Sequence, residues 1–219
     1  MENAKQARNN RLVLLTIAGI PLTMILAATW LWYFVINGEL DLVGAIGTAN
    51  RGQLVRPPRQ LDDVAMAEDT GAAIKYADLP RKWRLVVANE GPVCDQACEH
   101  KLYLTRQIHV AMGKEFNRIG RLYISETPAG ETRLGVAQLS DKLPAPPSFG
   151  QLLETEHRGT IALSAAEGSY RSLFAEELAD DSTWYLVDPA GWIMMSYNGG
   201  IHYKDVISDL KFLLKNSSE

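Results

Sequence analysis

The longest apolar run lies near the N-terminus. From Leu12 to Ile36 no residue carries a charge. About 20 apolar residues are enough to span a hydrocarbon core as a helix, so residues 12–36 predict a transmembrane helix. Pro21 falls inside the run, where a spanning helix tolerates it because neighbouring groups satisfy the freed carbonyl. Trp30, Trp32 and Tyr33 gather at the far end, where amphipathic rings favour the interface. Lys5, Arg8 and Arg11 precede the run against the single acid Glu2, while Glu39 and Asp41 follow it. The positive-inside rule predicts a cytoplasmic N-terminus (residues 1–11) and puts everything after residue 37 outside. A cleaved signal peptide would have an apolar region of about 7–15 residues ending in a small-x-small site. This run is longer and ends in Trp-Leu-Trp-Tyr-Phe.

Residues 37–80 read as a linker and entry segment, broken up by Gly38, Gly44, Gly47, Gly52, Pro57, Pro58 and Pro80. Val55 to Arg59 should be extended, because a proline disfavours helix at the residue before it. Residues 81–219 have the pattern of a folded α/β domain. Trp83 to Asn89 is a compact apolar run rich in β-branched residues and predicts a buried strand. A helix is predicted to follow to Met112 or Lys114, with Leu104, Ile108 and Ala111 at helical spacing and Gly113 as its stop. Arg121 to Ser125 predicts a second strand, which completes a βαβ unit with parallel strands. Pro and Gly obscure residues 126–160. Short elements are expected at Leu134–Leu139 (strand), Ser148–Glu156 (helix), Thr160–Ser164 (strand) and Tyr170–Leu178 (helix). Trp184–Val187 and Trp192–Tyr197 predict a hairpin about the turn Asp188-Pro189-Ala190-Gly191. Tyr203 to Lys215 is an amphipathic helix with Val206, Ile207, Leu210, Leu213 and Leu214 on one side. A βαβ unit, then a hairpin and a closing helix, is the thioredoxin order.

The net charge of −4 offers no basic surplus for nucleic acid. Two cysteines do not make a disulfide scaffold. Their placement is more informative. Cys94 and Cys98 fall at the junction of the first strand and its helix. Residues four apart on a helix share a face, close enough for two sulfurs to bond or to hold one soft ion. A helix N-terminus favours the thiolate, which is the nucleophile of disulfide exchange and a ligand for copper(I). The pair can therefore be redox-active, half of a metal site, or a structural disulfide. As a structural bond it would close only a five-residue loop, which gives little chain-entropy stabilisation.

Cys94-Asp95-Gln96-Ala97-Cys98 after an apolar strand resembles the C-x-x-x-C of the Sco/SenC family. Those proteins are membrane-anchored, have a thioredoxin fold, and help assemble the copper site of cytochrome c oxidase. The anchor and the tail Tyr185-Leu186-Val187-Asp188-Pro189-Ala190-Gly191 fit the resemblance, which covers roughly residues 80–215. It implies a thioredoxin-like (Sco-like) α/β domain on a single N-terminal transmembrane helix, in a bacterial inner membrane with the domain in the periplasm. It also implies partners among cytochrome c oxidase subunits or other assembly factors, and copper(I) as a ligand of Cys94 and Cys98. One position departs from the pattern. Where the family carries a copper-ligating histidine, counting back from Pro189, this chain has Asp180.

Another histidine would have to complete such a site. His100 lies about 200° around the helix from Cys98, and His109 about 16 Å along its axis. His202, in the loop after the last strand, is the candidate third ligand, with His157 behind it; the plain alternative is a solvated histidine opening the last helix. Met194 and Met195 point to opposite faces of a strand and cannot act as a pair. Asp180 and Asp181 are either a proton acceptor near the thiols or a turn pair. Three functions are open: an oxidase assembly factor working by thiol redox or copper handling, a general thiol–disulfide oxidoreductase, and a non-catalytic thioredoxin-like interaction module.

Overall fold

A computed structural model describes residues 2–36 and 50–217, which fall into two compact units, Met1–Ala49 and Asn50–Glu219. In the first unit, helix α1 (Glu2–Ile36) contains the window Val13–Phe34, which is long and apolar enough to cross a membrane. None of that window is buried against protein.

The second unit is built on one eight-stranded mixed sheet. Its strands are β1 (Gln53–Gln60), β2 (Met66–Glu68), β3 (Ala73–Ile74), β4 (Trp83–Asn89), β6 (Ile119–Ser125), β8 (Thr160–Ala165), β9 (Trp184–Val187) and β10 (Trp192–Tyr197). Their order is β1-β10-β9-β4-β6-β8-β2-β3. Strands β4, β6 and β8 run parallel at the centre, flanked by antiparallel β9 and β10. All seven residues of β4 are buried, as an apolar run covered on both faces requires. The helices are α2 (Gln96–Ala111), α3 (Phe149–Thr155), α4 (Tyr170–Leu173), α5 (Ala175–Ala179) and α6 (Tyr203–Asn216). Val86, Ala88, Leu122, Ile124, Tyr185 and Val187 pack with Tyr170, Leu173 and Phe174 of the α4–α5 region. The alternate positions Leu85 and Leu186 meet Ile108, Val206 and Leu210 of α2 and α6. The parallel centre with its hairpin and closing helix is the expected thioredoxin-like arrangement.

The expected linker and entry segment, 37–80, divides. Residues 37–49 lie outside the described residues. From Gln53 the chain is already strand. Pro57 and Pro58 keep β1 extended but cannot donate ladder hydrogen bonds, which suits the sheet edge where β1 lies. The pairing of β1 with β10 is irregular across Leu54–Arg59, where those prolines sit. Asp209 of α6 accepts from the backbone N–H groups of Arg51 and Gly52 at 2.9–3.1 Å, so the last helix holds the start of the domain. The helix expected over Tyr170–Leu178 breaks in two at Phe174, whose φ of −127° and ψ of 44° are not helical. The strand expected over Leu134–Leu139 shrinks to β7 (Arg133–Leu134).

The Asp188–Gly191 turn depends on glycine. Gly191 has φ +92°, and a Cβ there would stand 2.9 Å from the ring of Tyr76. Gly191→Ala should therefore lower stability by about 1–3 kcal/mol. Urea unfolding checks this, and an unchanged midpoint would mean that the turn and ring relax freely.

Candidate functional site

After β4 the chain turns at Gly91-Pro92 and forms a two-residue strand, β5 (Val93–Cys94), parallel to β7. Gly135 donates its N–H to the Cys94 carbonyl at 2.8 Å, which fixes the backbone of the first cysteine. Asp95 then caps α2, its side chain accepting from the N–H groups of Ala97 and Cys98, both at 3.1 Å. Cys94 thus precedes the helix instead of lying on it. The cap turns the chain so that the two Cα atoms stand 5.1 Å apart, and the sulfurs form a disulfide.

The pair is not openly displayed. Cys94 is 0% and Cys98 1% exposed, packed with Val87, Leu102, Tyr123 and Phe149. Cys98, but not Cys94, lines an open depression of ≈ 800 Å³. Its walls come from the end of β4, the first turn of α2 and residues 177–181.

A buried ion pair forms part of that wall. Lys101, one turn beyond Cys98, donates to Glu177 at 2.9 Å and to the Ala88 carbonyl at 2.8 Å. Glu177 also accepts from the Tyr170 hydroxyl at 2.8 Å, and its backbone N–H donates to the Tyr185 hydroxyl at 3.0 Å. Burial pulls the Lys101 ammonium below its ordinary pKa, and Glu177 opposes that pull. Burial, then Glu177, pushes the Tyr170 hydroxyl up. This leaves a fixed cation and a fixed anion beside the disulfide. Sequence reading missed both residues. Lys101 carried a usable signal, because it falls on the stripe Cys98, Leu102 and Thr105 that a helix of this pattern must bury. Glu177 carried none.

Asp180 also lines the cavity of Cys98, at the position the Sco pattern gives to histidine. Hydrogen bonds from Ser182 hold its carboxyl below the ordinary range, so it is ionised. A hard carboxylate suits copper(I) poorly. His202, the expected third ligand, is not among the residues that line this cavity. Its exposed ring caps α6, Nδ1 accepting from the Lys204 N–H at 3.2 Å, and stacks on Tyr203. His157 is buried against Arg121, and His109 stacks on Phe116. Each histidine is engaged locally, and among the described residues no three His, Cys, Asp or Glu side chains form a metal-holding group. With the sulfurs bonded to each other, these residues do not fit a three-ligand copper(I) site.

The fold has close relatives in shape. Yeast Sco1 shares 13% identity over 78% of this chain and 99% of its own, with a TM-score of 0.52. Apo Sco1 from Thermus thermophilus shares 14% identity over 76% and 99%, with a TM-score of 0.50. Yeast Sco1 with copper bound superposes with a TM-score of 0.48 at 13% identity, over 78% of this chain and 97% of its own. No curated protein matches the sequence. The likeness to yeast Sco1 and to apo Sco1 from Thermus thermophilus is one of fold, and the domain's fold is thioredoxin-like. The family model described as "Transmembrane-like, thioredoxin-like, C-terminal domain" matches residues 83–144 and 132–217, and the chain belongs to that family.

Proposed function

We propose that this chain is a membrane-anchored thiol–disulfide factor for cytochrome c oxidase assembly, acting through Cys94 and Cys98. Residues 1–11 lie in the cytoplasm, 12–36 span a bacterial inner membrane, and the thioredoxin-like domain stands in the periplasm. The observation that carries the reading is the disulfide at the mouth of α2, one sulfur residue of which borders an open cavity beside a buried Lys–Glu pair. A partner thiolate entering the cavity attacks the Cys98 sulfur. The S–S bond breaks and Cys94 leaves as a thiolate, which takes a proton. A second thiolate resolves the mixed disulfide and leaves both cysteines reduced and the partner oxidised. The Asp95 cap orients the first turn, and the N-terminus of α2 favours the negative charge that develops on sulfur. The reduced pair would also be the place to hold copper(I) as cargo, but Asp180 in place of histidine argues for redox work on a partner's cysteines. The C-x-x-x-C spacing, where a general oxidoreductase is expected to use C-x-x-C, argues against that reading.

Replacing Cys94 and Cys98 together with serine should abolish the chain's contribution to oxidase activity in membranes while leaving the folded domain. Oxidase activity, membrane copper content and the domain's melting curve are measured together. Unchanged oxidase activity would remove the assembly role.

The near-complete burial of both cysteines favours a second reading, a structural bond in a thioredoxin-like interaction module. A bond closing so short a loop contributes about 2 kcal/mol on the chain-entropy account. Under this reading the double variant loses stability and oxidase activity together, and added stabilising osmolyte restores both.

A further inference from the structure

The cavity that borders Cys98 is acid-walled. Glu90, Asp95, Glu177, Asp180 and Asp181 line it, and Lys101 is its one basic lining residue. Lys101 is taken up by Glu177. Arg171 lies over Glu90 at 2.8 Å, an exposed pair that screening makes weak. Asp95, Asp180 and Asp181 remain. Their fields reach the floor of the cavity, for Asp95 and Asp181 both favour the charged form of Lys101 one turn from Cys98, and Lys101 in turn favours ionised Asp180.

An attacking thiolate is itself an anion. Carboxylates on the approach raise the barrier for a thiolate that arrives alone or with acidic neighbours, and lower it for one carried among cations. We infer that the acid-walled cavity selects its redox partner by charge, and that the partner presents a cysteine flanked by lysine or arginine. This rests on the redox reading of the same disulfide and names the class of thiol that the site accepts. It gives the Asp180-Asp181 pair a role as a filter against acidic thiols. Two partner thiols supply the two electrons: the first forms a mixed disulfide with Cys98 as Cys94 leaves, and the second displaces Cys98 to give the partner disulfide.

The test uses the full chain in non-ionic detergent and two nonapeptides, each with one cysteine, flanked in one by lysines and in the other by glutamates. Each peptide's rate of reducing the Cys94–Cys98 bond is divided by its rate with a neutral small-molecule disulfide, which removes differences in thiol reactivity. The normalised rate should favour the lysine peptide by about tenfold or more at low ionic strength. The preference should vanish near 1 M salt, where the Debye length is about 3 Å. Asp180→Asn with Asp181→Asn should shrink the preference several-fold while the disulfide still forms. Equal non-zero rates at low salt, or a preference unmoved by salt and by the double variant, overturn the charge filter and leave the redox reading standing. Failure of both peptides to reduce the native bond overturns both.

Discussion

Replacing Glu177 with alanine should destabilise the domain by about 3–5 kcal/mol, the range for breaking a buried pair from one side. Lys101 is only 2% exposed, so the variant strands an ammonium left with the Ala88 carbonyl as acceptor. Tyr170 loses its acceptor at the same time, and its hydroxyl is left buried. The double replacement Lys101→Met with Glu177→Leu should recover part of the loss, because no charge is then stranded, although the Tyr170 hydroxyl still lacks its acceptor. Arg171→Ala is the matched control: its pair with Glu90 is exposed, and losing it should cost no more than about 1 kcal/mol. Guanidinium unfolding followed by tryptophan fluorescence reads all three. A Glu177→Ala loss below about 1 kcal/mol would mean that water reaches the pair.

Acid should unfold the domain through His157. The ring is 2% exposed and receives Arg121 at 3.1 Å, and burial together with that guanidinium pushes its pKa down to about 3. The unfolded chain takes up the same proton near 6.5. Between those values the unfolded state binds more protons, so stability falls by about 1.4 kcal/mol for each unit of acidification. The contribution is complete above the unfolded value and is lost progressively down to about pH 3. In His157→Gln, which keeps an acceptor for Arg121 but does not titrate, the slope across pH 6.5–4.5 should flatten by about that amount. An unchanged slope would assign the acid sensitivity to the carboxylates.

Most of the fold's central half could be read from the sequence because its signals were local. The β4 run, the apolar stripe of α6 and the Asp-Pro-x-Gly turn each declare an element from a few neighbouring residues. β1 could not be read this way. Its Arg-Pro-Pro-Arg segment looks like a linker, and what makes it a strand is an edge vacancy on β10, more than 130 residues away. The cysteine pair was legible as chemistry but not in its depth. Cys94 is buried because Gly135 and β7 close over it, and that loop has no periodicity to announce it. The local role of His202 was legible only in part: its place before the last helix could be read, but not that its ring accepts from the adjacent Lys204 N–H.

The clamp between Asp209 and the N–H groups of Arg51 and Gly52 spans nearly the whole domain. In a chain made from its N-terminus, the first strand waits unpaired until β10 emerges, and its entry point stays unfastened until the last helix follows. Contacts of such long sequence separation are slow to form and leave a strand edge open meanwhile. The edge strand is therefore fastened late in biosynthesis, after the β4-β6-β8 centre has been made. Truncation that removes Asp209 would release the entry point at Arg51 and Gly52, while β1 keeps its pairing with β10.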